Sequence, residues 1–179
     1  MWGAFGVFLE GWTASQSGAP AQGLENMRRG VELLHEQNLQ FDGLLKIALA
    51  EAEARAGDPA RAIAILDEAL ATHERMGYRA FEAELHRARG EILLERDPAN
   101  PAPAEEAFLT AIVVAKQQTT RSFELRAALS LAKLYQSTGR PADAHAVLAP
   151  ALEGFAPTPE LPEIAEAEGL LAQLAQATA

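Results

Sequence analysis

The residues of this chain that could do chemistry are few, and their spacing does not suit it. The four histidines are His35, His73, His86 and His145. None stands in an HExxH or comparable spacing that brings two imidazoles to one metal, so they read as ordinary solvated or half-packed side chains. Cysteine is absent, which removes thiolate nucleophiles, disulfides and Cys-ligated zinc together. Neither a GxSxG nucleophile turn nor a GxxxxGK[ST] phosphate loop occurs. Glu51-Ala-Glu53 and Glu105-Glu106 have the residue type for paired-carboxylate catalysis, but they read as solvated helix faces. Arg28-Arg29 could hold a small anion or be a plain surface pair. The expectation is a protein that is not an enzyme, with no catalytic residues, no metal ligands and no cofactor.

Composition narrows the partners. The chain has 179 residues, enough for one domain with a substantial core. Apolar residues make up 49%, with only 6% aromatic, and the Ala- and Leu-rich balance favours helix. No window alternates with period 2, so essentially no sheet is expected. The formal net charge of -10 and pI near 4.9 repel phosphate backbones, so no direct contact with nucleic acid is expected. The opening MWGAFGVFL resembles a signal peptide, but no Lys or Arg precedes it and Glu10 interrupts it. No apolar run approaches the ~20 residues of a membrane span. The expectation is a cytoplasmic protein that does not engage membranes.

The elements that would position any site are helices. The first spans about 2–17 and the second, about 20–38, carries Leu24, Met27, Val31 and Leu34 as one stripe. Gly57, Gly77 and Gly139 end helices, and Pro20, Pro59 and Pro141 start them. Pro150 should kink or fray the eighth helix. Pro157, Pro159 and Pro162 mark the heaviest break. Short turns make sequential helices antiparallel neighbours, pairing 1 with 2, 3 with 4, 5 with 6 and 7 with 8.

The strongest signal is a repeat. Small residues Gly11, Ala50, Gly90 and Ala132 recur in the first helices about every 40 residues. The second helices carry pairs of small residues seven apart: Gly23 and Gly30, Ala62 and Ala69, Ala104 and Ala111, Ala144 and Ala151. A larger apolar residue sits between each pair: Met27, Leu66, Phe108, Leu148. Helix axes approach to about 8 Å only where the contacting residues are small, and the large residue fills the groove between. The third repeat is two residues longer, in its Pro-rich turn.

This pattern resembles the tetratricopeptide repeat (TPR), with helices about one turn longer than the familiar unit of about 34 residues. Tyr135 matches the aromatic signature of the first helix, which is mostly missing elsewhere. Through GLENMRRGVELL (23–34), AELHRARGEILL (83–94), AEEAFLTAIVVAKQQ (104–118) and SFELRAALSLAKLYQSTGRPADAHAVLAP (122–150), the chain resembles the C-terminal repeat domain of bacterial predicted-ATPase regulators. Those are often fused to class III adenylate or guanylate cyclase domains or to a DNA-binding regulator domain. The resemblance implies an all-α, right-handed α-α superhelix. One TPR-like repeat domain would cover 1–179, with repeats over about 2–38, 41–77, 79–118 and 121–156 and a capping helix over about 160–177. It also implies a fragment or stand-alone remnant of a signalling or transcription regulator.

A solenoid of helix pairs lines its concave side with the first helix of each pair. One stripe around the small residues gives Phe5, Phe8, Trp12, Gln16; then Leu44, Ile47, Glu51, Arg55; then Glu84, Arg87, Glu91, Glu95; then Arg126, Leu129, Lys133, Ser137. The expected binding residues are Phe8, Trp12, Glu51, Arg55, Arg87, Glu91, Arg126 and Lys133, and the expected partner is a protein or peptide with an apolar end and charged anchors. Alternatively, Arg87–Glu91 and Glu51–Arg55 only support their own helices, and Phe5, Phe8 and Trp12 are core or face a preceding repeat. Two functions follow as expectations: an interaction scaffold, or a regulatory sensor that receives a small effector or clamps an ATPase or cyclase module of a parent protein. An uncovered first helix with Trp2, Phe5 and Phe8 would also offer a surface for a homodimer.

Overall fold

In a computed structural model, the structure describes residues 2–37, 43–156, 158 and 161–177. The expected repeat limits at 38, 41 and 160, Pro157, Pro159 and the Trp2 side chain lie outside the described residues. The helices are α1 (Trp2–Gln16), α2 (Pro20–Glu36), α3 (Gly43–Arg55), α4 (Pro59–Met76), α5 (Glu82–Arg96), α6 (Ala102–Gln117), α7 (Arg121–Ser137), α8 (Pro141–Leu152) and α9 (Pro162–Ala177). Among the described residues no strand occurs, and the architecture is an all-α right-handed α-α superhelix of four helix pairs with a C-terminal capping helix.

Turn chemistry sets the helix limits. Asp58 caps α4 by accepting a hydrogen bond from the Arg61 amide at 2.9 Å. At the other end Gly77 takes φ 66°, and Tyr78 N–H closes back on the His73 carbonyl at 3.0 Å. The helix containing Pro150 runs on to Leu152 and stops there, so the lost backbone bond falls in its last turns. The expected start of α5 at 79 is corrected to Glu82. A chain of ring contacts holds the preceding residues in a turn: His73–Tyr78 at 5.3 Å, Tyr78–Phe81 at 6.4 Å and Phe81–Phe123 at 6.5 Å.

One turn reaches the glycine geometry without glycine. Thr119 has φ 56°, and the Thr120 amide donates to the Ala115 carbonyl at 3.0 Å, as Tyr78 does to His73. A β-branched residue there is strained by about 1–3 kcal/mol. Thr119→Gly is therefore expected to raise stability by about 1 kcal/mol after the added unfolded-chain entropy, which is about 2–4 °C in Tm. An unchanged Tm in a thermal melt would show that the turn carries no such penalty.

The small and large positions pack as their spacing implies. Met27, Leu66, Phe108 and Leu148 are all fully buried, and so are the alanines flanking the last three. The α1–α2 crossing is a close backbone approach: a Cβ on Gly11 would lie 2.6 Å from the Gly23 carbonyl oxygen, and one on Gly30 2.6 Å from Phe8 Cβ. Each later first helix touches both helices of the pair before it, α5 on α3 and α4, α7 on α5 and α6. The same holds for α9, which touches α7 and α8 and buries Ile164, Ala167 and Leu174. It therefore sits where the first helix of a fifth repeat would.

The core is in unequal parts. One cluster runs continuously from Ile47 through α9. A second, smaller one joins Phe8, Leu24 and Met27 to Leu49 and Ala52. The seam between the first and second repeats is thus packed separately from the rest.

Candidate interaction surface

The first-helix face divides into two halves of different character. Toward the C-terminus it is a closed ionic network. Glu84, only 2% exposed, takes Arg87 at 3.2 Å from its own helix and Arg126 at 3.0 Å from α7. Arg126 also reaches Glu163 of α9 at 3.4 Å. Ser130 Oγ donates to Glu91 at 2.6 Å, and Lys133 pairs with Glu166 of α9 at 2.7 Å. The structure therefore brings Arg87, Glu91, Arg126 and Lys133 together, with their charges already met inside the chain. Ser130, Glu163 and Glu166 are the partners that sequence reasoning missed. Ser130 lies off the stripe, and the register of α9 cannot be read across its Pro-rich approach.

Toward the N-terminus the face is open. Trp12 is 46% exposed and Leu44 51%. Glu51 and Arg55 are exposed too, and neither makes an ion pair with another described residue. Arg55 Nε donates to the Glu51 backbone carbonyl at 3.1 Å, so the expected side-chain pair is replaced by a bond to the backbone. Phe8 needs correction as a surface residue. It is 2% exposed and packs in the core against Gly30, because the two-glycine face of α2 draws α1 close enough to bury it.

Two other expectations change. Glu51 is solvated, but Glu53 is fully buried and accepts Nε and Nη2 of Arg28 at 2.8 Å and is paired with Arg61 Nε at 2.9 Å. Arg28 and its neighbour Arg29, which pairs with Glu32 and Glu36, are therefore not free to hold an anion together. Glu105 accepts the Tyr135 hydroxyl at 2.9 Å and Arg140 at 3.0 Å, with the guanidinium 4.0 Å above the Tyr135 ring. Burial, then the bond to Glu105, pushes the Tyr135 phenol up. Burial pushes His86 down, with Arg89 adding to the effect and Glu82 and Asp67 opposing it. Among the described residues no group of three or more His, Asp or Glu is placed to hold a metal ion, and no helix is long and apolar enough to cross a membrane.

A cavity of about 500 Å³ opens between α1, α2 and α3. Ser15, Pro20, Leu24, Arg28, Ala52 and Arg55 contribute to its walls.

No family model matches the chain, and no curated protein matches it. Among solved structures it is similar to a kinesin-light-chain-like protein of Podosopora anserina built from nearly identical TPR-like repeats. The two share 16% identity at a TM-score of 0.71, over 97% of this chain and 85% of that one. At that identity the likeness concerns the backbone: this chain has the fold of a TPR-like helical repeat array.

Proposed function

We propose that the chain is a non-catalytic protein–protein interaction or scaffold module that binds a protein or peptide along its first-helix face. The observation that carries this reading is the open N-terminal half of that face. Trp12, Leu44, Glu51 and Arg55 are all exposed on its helices α1 and α3, while the C-terminal half is internally neutralised. Exposed aromatics with unspent charges nearby are what an anchor-and-rim interface uses. We further propose, from the sequence resemblance, that this module belongs to a larger bacterial signalling or transcription regulator, and that it works in the cytoplasm. The formal net charge of -10 argues for a protein rather than a nucleic-acid partner.

The reading predicts which residues matter. In affinity capture from the native extract, Trp12→Ala with Leu44→Ala should weaken the recovered association at least tenfold, the scale of losing one anchor residue. Arg87→Ala with Lys133→Ala should change it far less, because those cations already have partners. Equal losses from both pairs, or none from the first, would sink the assignment. Sedimentation of the same variants identifies a second copy as the partner: Leu9 and Trp12 are both exposed on α1, so a homodimer would dissociate in Trp12→Ala.

A further inference from the structure

The cavity at the first seam exists because one side chain is small. Two residues past the small residue of each first helix stand Ala52, Ile92 and Leu134 in repeats two, three and four. Ile92 and Leu134 are 2% and 1% exposed and belong to the continuous core that runs from Ile47 through α9. Ala52 instead lines the cavity at the first seam, where the core is already divided. Three positions further along, the later repeats carry Glu95 and Ser137, and the second carries Arg55. Of these three aligned places, the one beside the small residue is therefore also the one with a guanidinium, that of Arg55.

The two arginines at this cavity differ. Arg28 spends Nε and Nη2 on Glu53. Arg55 is tied only through Nε to a backbone carbonyl, which leaves both terminal nitrogens for an incoming carboxylate. The remaining lining is largely aliphatic, from Pro20, Leu24 and Ala52. Its volume falls among small-molecule pockets of about 300–1,000 Å³.

We propose that this seam binds a small aliphatic monocarboxylate, its chain filling the space beside Ala52 and its carboxylate paired with Arg55. The site shares Arg55 with the proposed interaction face but uses neither Trp12 nor Leu44, so Trp12→Ala with Leu44→Ala should leave acid binding unchanged and the two readings can fail separately. A bound acid would join repeats one and two across the gap that Ala52 leaves, and binding to the native state would raise Tm.

Octanoate is the probe, titrated calorimetrically into the full chain, with octan-1-ol as the uncharged control. The expected result is saturable binding of octanoate at one site and at least tenfold weaker binding of octanol. Arg55→Gln, an exposed substitution that leaves the fold intact, should weaken octanoate at least tenfold. Ala52→Leu should abolish binding while raising the Tm of the free protein by about 2–4 °C, because it fills the space with buried carbon. Octanoate that fails to saturate, that binds no better than octanol, or that binds Arg55→Gln as it binds the parent would overturn the proposal.

Discussion

Phe108→Ala is expected to lower stability by about 4 kcal/mol, the scale of removing a fully buried aromatic. Phe108 has no exposed surface. It lies between Ala104 and Ala111, and its ring fills the space opposite Gly90, where a Cβ would meet Phe108 Cε1 at 2.5 Å. Little around it can collapse into the hole, because its small neighbours are already in helix–helix contact. Gly90→Leu should also destabilise, by about 1–3 kcal/mol, since the ring has no free direction to move. The two changes act on one volume. In the double variant the leucine enters the space the ring vacates, so its loss should fall short of the sum by about 1–3 kcal/mol. Urea unfolding of the four proteins measures this. Strict additivity would mean that Gly90 and Phe108 do not share the contact.

Arg28→Ala is the second large effect, with an expected loss of about 3 kcal/mol. The buried member of its pair is Glu53, which is fully enclosed and held by Arg28 from α2 and Arg61 from α4. Removing Arg28 leaves a buried carboxylate with one partner, and the desolvation cost is no longer balanced. Glu53→Gln should cost less, about 1 kcal/mol, because it removes the buried charge together with the attraction and leaves two arginines that can reach water. The order of the two variants is the test, and a glutamine variant less stable than Arg28→Ala would contradict it. Because the pair joins α2 to α3, amide exchange in α1 and α2 should rise first in Arg28→Ala, while α5 to α8 stay protected.

Much of this architecture is legible in the residues themselves. Pro20, Pro59 and Pro141 start helices, and Gly57, Gly77 and Gly139 end them, because each fixes or frees a backbone angle locally. The alternation of small and large residues in second helices announces where axes must come close, and Met27, Leu66, Phe108 and Leu148 are buried accordingly. Thr119 escapes a reading by residue type, since it occupies a glycine geometry that only the closure of α6 on α7 imposes.

What the sequence by itself determined is the helices, their pairing and the repeat, all set by periodicity within about 40 residues of chain. The tertiary structure alone decided which side chains on those helices remain available. It turned Phe8 inward, enclosed Glu53 but not Glu51, and set Glu163 and Glu166 of α9 against the cations of α7. The physical reason is that helical spacing assigns a residue to a face, whereas its partner depends on the rotation and gap between successive repeats. Those are fixed by summed side-chain volumes at each seam. Ala52, in the place that Ile92 and Leu134 occupy elsewhere, leaves the first seam open beside Arg55.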